Sequence, residues 1–338
     1  MTNALEIEDV VKRFGNHVAV DGISFTVPRG VVYGVLGPNG AGKSTTLRMI
    51  NDVVAPDSGR IQVLGLAPGA AAARQIGYLP EERGLYPKMF VAEMVQFMGE
   101  LRGLSRAEAA RRAARWLERL GLTRWAKNRV QDLSKGMQQK VQFATALIHD
   151  PELLILDEPW SGLDPINAEV LRSVVEEARA AGRTVLFSTH LMEQAEKVCD
   201  AVCIIARGKK VLDGNLAELR RAAAAHGRIA LGFEDAAAKA KAQAGPLADP
   251  EIVAAVRAPA AADSQELVVE LRSGVTSDAL LAALLAAGGG LRRFEAVTPT
   301  LHQIFVARAD PSPPERRDEG RHGPGATGLA RGRAPRAA

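Results

Sequence analysis

The chain has 338 residues, of which 47% are hydrophobic, so it is long enough for one large domain with a smaller one or for two medium-sized domains. Of its 43 basic and 39 acidic residues, six arginines and three acids lie from residue 311 onward, which leaves the body of the chain nearly neutral. Because the body shows no basic cluster, we predict no nucleic-acid partner.

Neither the cysteines nor the apolar segments indicate a metal site or a membrane span. Cys199 and Cys203 have no second Cys/His pair that would complete a metal site, so we interpret both as core residues. So few cysteines favour a reducing compartment. The charged N-terminus lacks the pattern of a signal peptide, and no stretch approaches the ~20 apolar residues that cross a bilayer. A role at a membrane would therefore need a partner that supplies the spans.

The first two thirds of the chain predict an α/β fold. Continuous apolar runs within 30–37 and 152–159 are typical of strands that are buried on both faces of a sheet. Further strands are predicted at 5–14, 19–27, 76–79, 183–189, 201–206 and 209–214. Helical patterns occupy 90–127, about 166–181 and 191–200. This alternation predicts a mostly parallel α/β sheet.

The composition changes after residue 215, and alanine becomes abundant over 221–262. The predicted elements beyond this point are strands at 229–233, 251–256, 266–272 and 291–297 and helices at 234–244 and 277–288. They indicate a small two-layer α+β domain, and the Pro/Gly/Arg-rich end predicts a disordered tail. The predicted domains are therefore 1–215, 216–309 and the basic tail 310–338.

The stretch GPNGAGKST, residues 37–45, fits G-x-x-x-x-G-K-[ST] between a predicted strand and a predicted helix. Its glycines let backbone N–H groups converge on phosphate oxygens, and the helix N-terminus adds its dipole. Lys43 can reach the β- and γ-phosphates of a nucleotide, and the Ser44 hydroxyl can bind Mg²⁺. The residues predicted to bind the nucleotide here are Gly37, Pro38, Asn39, Gly40, Ala41, Gly42, Lys43, Ser44 and Thr45.

Two acids end the second buried strand, LLILDEP at 153–159. Asp157 and Glu158 would lie at the carboxyl end of this strand, where α/β sheets bind their ligands. We expect Asp157 to hold Mg²⁺ through water and Glu158 to polarise an attacking water. The alternative is a strand that ends in a solvated turn, which the phosphate loop in the same chain disfavours.

Two other polar stretches are ambiguous by themselves. Ser134 and Gly136 lie in LSKGMQQK (133–140) at the start of a predicted helix, where a hydroxyl and free N–H groups can bind an anion. A helix-capping serine is the simpler interpretation. His190 ends the strand FSTH, where a histidine is usually structural; beside a γ-phosphate it could donate a hydrogen bond.

The order and spacing of these motifs over roughly residues 4–215 resemble the nucleotide-binding domain of ATP-binding cassette (ABC) transporters. GPNGAGKST resembles the Walker A loop, LLILDEP the Walker B strand, LSKGMQQK the family signature, SGLD (161–164) the D-loop and STH the switch histidine. The resemblance implies a P-loop fold with a helical subdomain at about 88–150. It also implies that Phe14 stacks on adenine, with a phenylalanine in the core as the alternative for that position.

The same resemblance implies a head-to-tail homodimer that binds ATP and Mg²⁺. Each ATP would lie between the Walker A loop of one subunit and the signature of the other. Ser134 and Gly136 would then bind the γ-phosphate across the interface, and Asp164 would link the two sites.

The sequence departs from the family pattern in the signature, after Walker B and in the Q-loop. Lys135 replaces the second signature glycine, Met137 replaces its glutamine, and Trp160 stands where Phe or Thr is commoner. Glu81, in GYLPEERGLYP, replaces the glutamine of the Q-loop. We expect Glu81 to serve as the metal and water sensor, with its charge offset by Mg²⁺ or by Arg83. A solvated loop acid is the alternative.

YLPEERGLYP and TPTLHQIFV (298–306) also resemble the ATPases of ABC-2-type exporters. This implies an ATP-hydrolysing homodimer on an integral-membrane ABC-2-type permease at the cytoplasmic face of the cell membrane, with closure passed to the permease through residues 81–88. An ABC protein acting on ribosomes or DNA is disfavoured by the single phosphate loop and the lack of long coiled coils. The intact motif residues disfavour an inactive binder, and the signature and D-loop disfavour a P-loop kinase.

Overall fold

The computed structural model describes residues 3–82, 84–224, 227–257, 265–297 and 299–309. Arg83 and the predicted tail over 310–338 lie outside the described residues. The strands are β1 (Asn3–Phe14), β2 (His17–Pro28), β3 (Val32–Leu36), β4 (Ser58–Val63), β5 (Ile76–Leu79), β6 (Leu153–Asp157), β7 (Thr184–Thr189), β8 (Ala201–Ala206), β9 (Lys209–Asn215), β10 (Arg228–Phe233), β11 (Val253–Arg257), β12 (Glu266–Leu271) and β13 (Leu291–Ala296).

The helices follow the same chain order and alternate with the strands of the first two thirds of the chain. They are α1 (Lys43–Ile50), α2 (Ala70–Ala73), α3 (Val91–Leu101), α4 (Arg106–Arg119), α5 (Lys135–Leu147), α6 (Pro165–Ala180), α7 (Met192–Val198), α8 (Leu216–Ala224), α9 (Ala236–Ala244), α10 (Ser277–Ala286) and α11 (Leu301–Ala309). Within the described ranges, no helix is both long and apolar enough to cross a membrane.

A six-stranded sheet forms the centre of the molecule, in the order β5-β6-β7-β3-β8-β9. The first five strands are parallel and β9 is antiparallel to β8, which confirms the predicted mostly parallel sheet. Every residue of β3, β6 and β7 is buried, because helices and a second sheet cover both faces. Leu36 pairs with Thr189 and Asp157 with Ser188, so these three strands end at the same edge of the sheet.

A three-stranded antiparallel sheet, in the order β2-β1-β4, packs on one side of α1 and the central sheet. The sequence predicts β1 and β2 but not β4. The first three residues of β4, Ser58, Gly59 and Arg60, are exposed, and only Ile61 and Val63 are buried, so its sequence lacks a continuous apolar run. This sheet positions the end of β1, and with it Phe14, near the loop that precedes α1.

Helices α3, α4 and α5 pack against one another and form the helical part predicted at about 88–150. Ser105 caps α4, because its Oγ accepts a hydrogen bond from the N–H of Glu108 at 3.3 Å. Ala109, Ala113 and Leu117 are spaced four residues apart and form the buried face of α4. The arginines of this helix lie mainly on its exposed side, as the sequence predicts.

The C-terminal part of the chain contains a four-stranded antiparallel sheet in the order β11-β12-β10-β13. Helices α9 and α10 contribute Ala242, Leu280 and Leu284 to a small separate core with the apolar residues of this sheet. This is the two-layer α+β arrangement that the sequence predicts.

Two C-terminal helices that the sequence does not predict pack instead on the core of the central sheet. Leu216 of α8 and Leu301 and Ile304 of α11 are buried in the same cluster as Met192 and Val198 of α7. The chain therefore returns to the core of the central sheet, through α11, after it has formed the small sheet.

Candidate functional site

The loop between β3 and α1 presents backbone N–H groups at the helix N-terminus. Helix α1 begins at Lys43 after Gly42, it has no acidic residue in its first turn, and no side chain caps its first N–H groups. Unpaired N–H groups and the positive end of the helix dipole favour a bound anion at this position. The sequence predicts this phosphate-binding geometry for residues 37–45.

Two glycines of this loop cannot carry a side chain without moving the backbone. Gly37 has φ 149°, and a Cβ there would lie 2.0 Å from the carbonyl oxygen of Ile205. Gly42 has φ 106°, and its Cβ would lie 2.4 Å from the carbonyl oxygen of Ala19. The loop is therefore packed tightly against β8 and β2, which fixes the direction of its N–H groups.

Lys43 is buried beneath the loop and holds it from inside. Its Nζ donates hydrogen bonds to the carbonyl oxygens of Gly37 at 2.9 Å and Pro38 at 3.2 Å. The same Nζ lies 3.8 Å from Oε1 of Glu158. Burial lowers the pKa of the Lys43 ammonium, and the charges of nearby carboxylates, Glu158 foremost, oppose that shift.

Asp157 ends β6 as an almost inaccessible carboxylate held by two hydroxyl groups. Ser188 donates a short hydrogen bond to its Oδ1, and Ser44 donates another at 3.2 Å. Burial raises the pKa of the Asp157 carboxyl, and these two hydrogen bonds oppose the rise. Ser44 and Asp157 thus bring two oxygen atoms together beside the loop.

Glu158, the next residue, is held by the end of β7. Its Oε1 accepts hydrogen bonds from the backbone N–H of His190 at 3.0 Å and makes a 2.9 Å contact with His190 Nδ1. Its Oε2 accepts a hydrogen bond from Thr189 Oγ1 at 3.1 Å. An ionised carboxylate only accepts hydrogen bonds, so His190 Nδ1 carries the proton when Glu158 is charged.

The backbone of Glu158 lies in the left-handed region, with φ 48°. A non-glycine residue in this region is strained by about 1–3 kcal/mol. The strain is balanced by the contacts of this turn, in which the Glu158 N–H approaches the carbonyl oxygen of Ser188 at 3.2 Å and its Oγ at 3.3 Å. The turn aims the carboxylate back toward Lys43 and His190.

Most of the predicted site residues line one cavity of about 370 Å³. Its walls are Phe14, His17, Ala19, Asn39, Gly40, Ala41, Gly42, Lys43, Ser44, Thr45, Glu81 and Glu158. The ring of Phe14 is 50% exposed and Lys12 Nζ lies 5.6 Å from its centroid, so Phe14 is not a core residue. Glu81 lies on the exposed segment after β5, on the wall of this same cavity.

Ser134, Gly136 and Asp164 are not on the wall of this cavity and form a second group. Ser134 caps α5, because its Oγ accepts a hydrogen bond from the N–H of Met137 at 3.3 Å. Asp164 caps α6 in the same manner through the N–H of Asn167 at 2.9 Å. The two caps are neighbours, since a Cβ on Gly136 would lie 3.2 Å from Nδ2 of Asn167. Hydrogen bonds from Asn167 lower the pKa of the exposed Asp164 carboxyl.

Trp160, one of the departures from the family pattern, is buried directly behind the two acids. Its ring meets Phe187 of β7 edge to face with centroids 4.8 Å apart. Among the described residues, its Nε1 has no hydrogen-bond partner. The other departures, Lys135 and Met137, lie in the first turn of α5.

The two cysteines lie away from the surface. Cys203 is buried in the core, Cys199 is half-buried, and burial raises the pKa of both thiols.

The site as built can bind a polyphosphate and activate a water molecule. The uncapped start of α1 and Lys43 suit phosphate oxygens. Ser44 and Asp157 supply two hard oxygen ligands, which fit Mg²⁺, and phosphate and water would supply the remaining ligands. Glu158 supplies a carboxylate fixed by three hydrogen-bond contacts, which suits a general base.

Sequence reasoning did not identify Ser188, Thr189 and His17 as site residues. Ser188 and Thr189 are fully buried hydroxyls that hold the two acids, and His17 lies on the wall of the cavity. The signal for the first two was present, because polar residues at the end of the apolar strand TVLFST need partners. Nothing in the sequence places His17 there.

Comparisons with known proteins agree with these features in two separate parts of the chain. Residues 20–161 match the protein family described as "ABC transporter". Residues 214–309 match the family described as "ATP-binding protein DrrA1-3-like, C-terminal domain".

The chain is similar to proteins of both known and unknown roles. It is 39% identical over 306 residues to the uncharacterized ABC transporter ATP-binding protein YhaQ of Bacillus subtilis, covering 90% of this chain and 98% of that protein. It is 41% identical over 221 residues to the Nod factor export ATP-binding protein I of Ralstonia nicotianae, covering 64% and 69% of the two chains. A solved ATP-binding subunit of an ABC transporter is 34% identical with a TM-score of 0.61, covering 65% of this chain and 93% of its own.

We predict that Gly37→Ala destabilises the chain far more than Gly40→Ala. Both glycines have positive φ, but a Cβ at Gly37 meets the Ile205 backbone, whereas a Cβ at Gly40 meets nothing within 4 Å. Gly40→Ala should cost about 1 kcal/mol of left-handed strain, and Gly37→Ala about 3 kcal/mol or more. Urea unfolding of both variants measures this difference. Equal losses would contradict the tight packing of the loop.

Proposed function

The chain belongs to the family of ABC transporter ATP-binding subunits, and on this basis we propose that it hydrolyses ATP to ADP and phosphate to drive an export system. The observation that carries the proposal is the Glu158–His190 contact, at 2.9 Å, in reach of Lys43 and of the phosphate loop. These groups have the charges that suit water attack on a terminal phosphate.

Each residue has a separate task in this reaction. The N–H groups of the loop and Lys43 bind the phosphates, and Lys43 neutralises charge that develops on the γ-phosphate. Glu158 accepts a proton from the attacking water. His190 orients Glu158 through Nδ1 and can donate from Nε2 to a phosphate oxygen when its ring carries both protons. Phe14, half-exposed at the cavity wall, stacks on the adenine.

We propose that Ser44 and Asp157 hold Mg²⁺ and that Glu81 senses it. Mg²⁺ would neutralise phosphate charge and screen the buried Asp157 from Glu158. The position of Glu81 on the wall of the cavity, opposite the helix that starts at Lys43, supports this role. The negative charge of Glu81 also favours the charged form of Lys43.

We further propose that two chains form a head-to-tail dimer around two ATP molecules. Ser134 and Gly136 do not line the cavity of their own chain, and Ser134 lies exposed at the start of α5. The N-terminus of a helix that faces outward can bind the phosphate of a nucleotide held by a second chain. Asp164 is exposed beside it, and its neighbour Ile166 is a 78% exposed apolar residue that a partner would cover.

The membrane partner would dock on the surface that follows Glu81. Tyr86, Met89, Phe90 and Phe97 line an open groove of about 640 Å³, and Tyr86 and Phe90 are 54% and 42% exposed. An exposed apolar groove of this kind favours an interaction with another protein. We propose that an ABC-2-type permease fills it, which would place this chain at the cytoplasmic face of the cell membrane.

Export is the direction supported by the comparisons, because one relative is a Nod factor export protein. The match of residues 214–309 to a C-terminal ATP-binding-protein domain supports the proposed division into 1–215, 216–309 and a tail. Under this proposal, the groups that recognise the cargo belong to the permease.

We predict that Glu158→Gln abolishes ATP hydrolysis but retains ATP binding. The amide keeps the shape of the carboxylate but cannot accept a proton from water, so kcat should fall by about 10²–10⁴-fold. Steady-state ATPase assays and fluorescent-nucleotide binding measure the two properties. Glu152→Gln is the matched control, because Glu152 precedes the same strand but is exposed at its opposite end, paired with Arg29. A Glu158→Gln variant that hydrolyses ATP at the normal rate would refute the role of this residue.

We predict that Glu81→Ala raises the Mg²⁺ concentration needed for half-maximal ATPase activity by about several-fold, because the metal loses one oxygen ligand. The adjacent Glu82→Ala is the control, because Glu82 is exposed and does not line the cavity. A magnesium titration of both variants decides the matter. Near-normal Mg²⁺ dependence in Glu81→Ala would show that this residue is a solvated loop acid.

We predict that tagged Glu158→Gln, purified with Mg-ATP from detergent-solubilised membranes of its host, recovers a protein with several transmembrane spans. The trapped ATP-bound dimer should keep its permease, and mass spectrometry identifies it. Recovery of ribosomal proteins or nucleic acid without a membrane protein would reject the transport proposal but leave the ATPase chemistry intact.

A further inference from the structure

The last described helix of the chain, α11, contacts the helix that follows the switch histidine. Helix α7 begins two residues after His190, and α11 packs on α7 and on β9. Leu301 and Ile304 are buried there in the core cluster that contains Met192, Ala195 and Val198. The predicted functions of the chain give this contact no role.

The contact includes a hydrogen bond as well as apolar packing. Glu196 of α7 is half-buried, and its Oε1 accepts a hydrogen bond from the backbone N–H of Leu301. Thr300 and Gln303 cap the same helix end reciprocally, with N···O distances of 3.0 and 3.2 Å. Two of the first N–H groups of α11, those of Leu301 and Gln303, therefore have side-chain partners, and the partner of Leu301 comes from α7.

Helix α7 needs this support because its own structure is weak. It has only seven residues, and no side chain caps its N-terminus. A helix of this length is not stable by itself, so its position depends on its neighbours. Asp200 fixes the segment after the helix by accepting a hydrogen bond from the N–H of Val32 at 2.8 Å, and α11 supports the helix itself.

A displacement of α7 would reach Glu158 directly. Only His190 and Leu191 lie between the end of β7 and the start of α7. Two contacts, at 2.9 and 3.0 Å, join His190 to Oε1 of Glu158. Contacts therefore run without a gap from α11 through Glu196 and α7 to the carboxylate that would activate water.

We propose that Glu196 is a positioning residue for ATP hydrolysis, which holds α7 on α11 and thereby holds His190 against Glu158. The C-terminal part of the chain then sets the geometry of the nucleotide site through α11. This proposal rests on the proposed ATPase function. It assigns a role to the segment TPTLHQIFV, which is otherwise only a likeness to exporter ATPases.

The test compares three substitutions in the full-length chain. Glu196→Ala removes the acceptor for the Leu301 N–H, whereas Glu196→Gln keeps a side-chain oxygen that can accept it. Glu193→Ala is the matched control, because Glu193 lies on the exposed side of the same helix. We expect Glu196→Ala to lower kcat by about three- to tenfold, the factor of one ordinary hydrogen bond, with an unchanged KM for ATP. Glu196→Gln should restore most of the rate, and Glu193→Ala should leave it unchanged.

A second measurement does not depend on activity. Hydrogen exchange of peptides that cover residues 190–198 should be faster in Glu196→Ala than in the unmodified chain, with unchanged protection in β6 and α1. A normal kcat together with normal exchange in Glu196→Ala would overturn the proposal, as would equal effects of Glu193→Ala. If the unmodified chain hydrolysed no ATP, the proposed function would fail, and the exchange of 190–198 would still decide whether Glu196 holds this segment.

Discussion

Two carboxylates at the end of one fully buried strand are the constraint around which the site is built. Asp157 and Glu158 are 1% and 9% exposed, and burial of charge at this depth is costly unless the carboxylates are hydrogen-bonded. The partners come from separate segments: Ser44 from the helix after the loop, and Ser188, Thr189 and His190 from the next strand. The parallel register of β3, β6 and β7 brings these segments to one edge, so the fold and the site meet the same requirement.

The central sheet and the phosphate loop could be predicted from the sequence because their signals are local. Continuous apolar runs indicate β3, β6 and β7, and the glycine pattern indicates the turn before α1. Strand β4 could not be predicted in this way, because three of its residues are exposed and its pairing with β1 is set by tertiary contacts. The N-terminal signal of α11 was present in Thr300 and Gln303, but its packing partner lies about a hundred residues away in the chain.

The candidate site shows the same limit. Their places at strand ends indicate Glu158 and His190 in the sequence, and the structure brings the two side chains within 2.9 Å. Their direct contact and the left-handed backbone of Glu158 depend on how β6 and β7 pair, which no local pattern encodes. Phe14 and Glu81 come from the family resemblance, and both lie on the cavity wall. Ser134, Gly136 and Asp164 do not, and the role proposed for them would need a second chain.

The contact between α7 and α11 also has a consequence for the synthesis of the protein. Leu301 and Glu196 are 105 residues apart in the chain, so a ribosome finishes the whole central sheet long before α11 emerges. Until then the apolar side chains of α7, α8 and β9 that receive Leu301 and Ile304 face solvent. A chain that stops early therefore exposes an apolar patch next to a complete phosphate loop. The contact between α7 and α11 closes a long segment of the chain, so it forms late and slowly during folding.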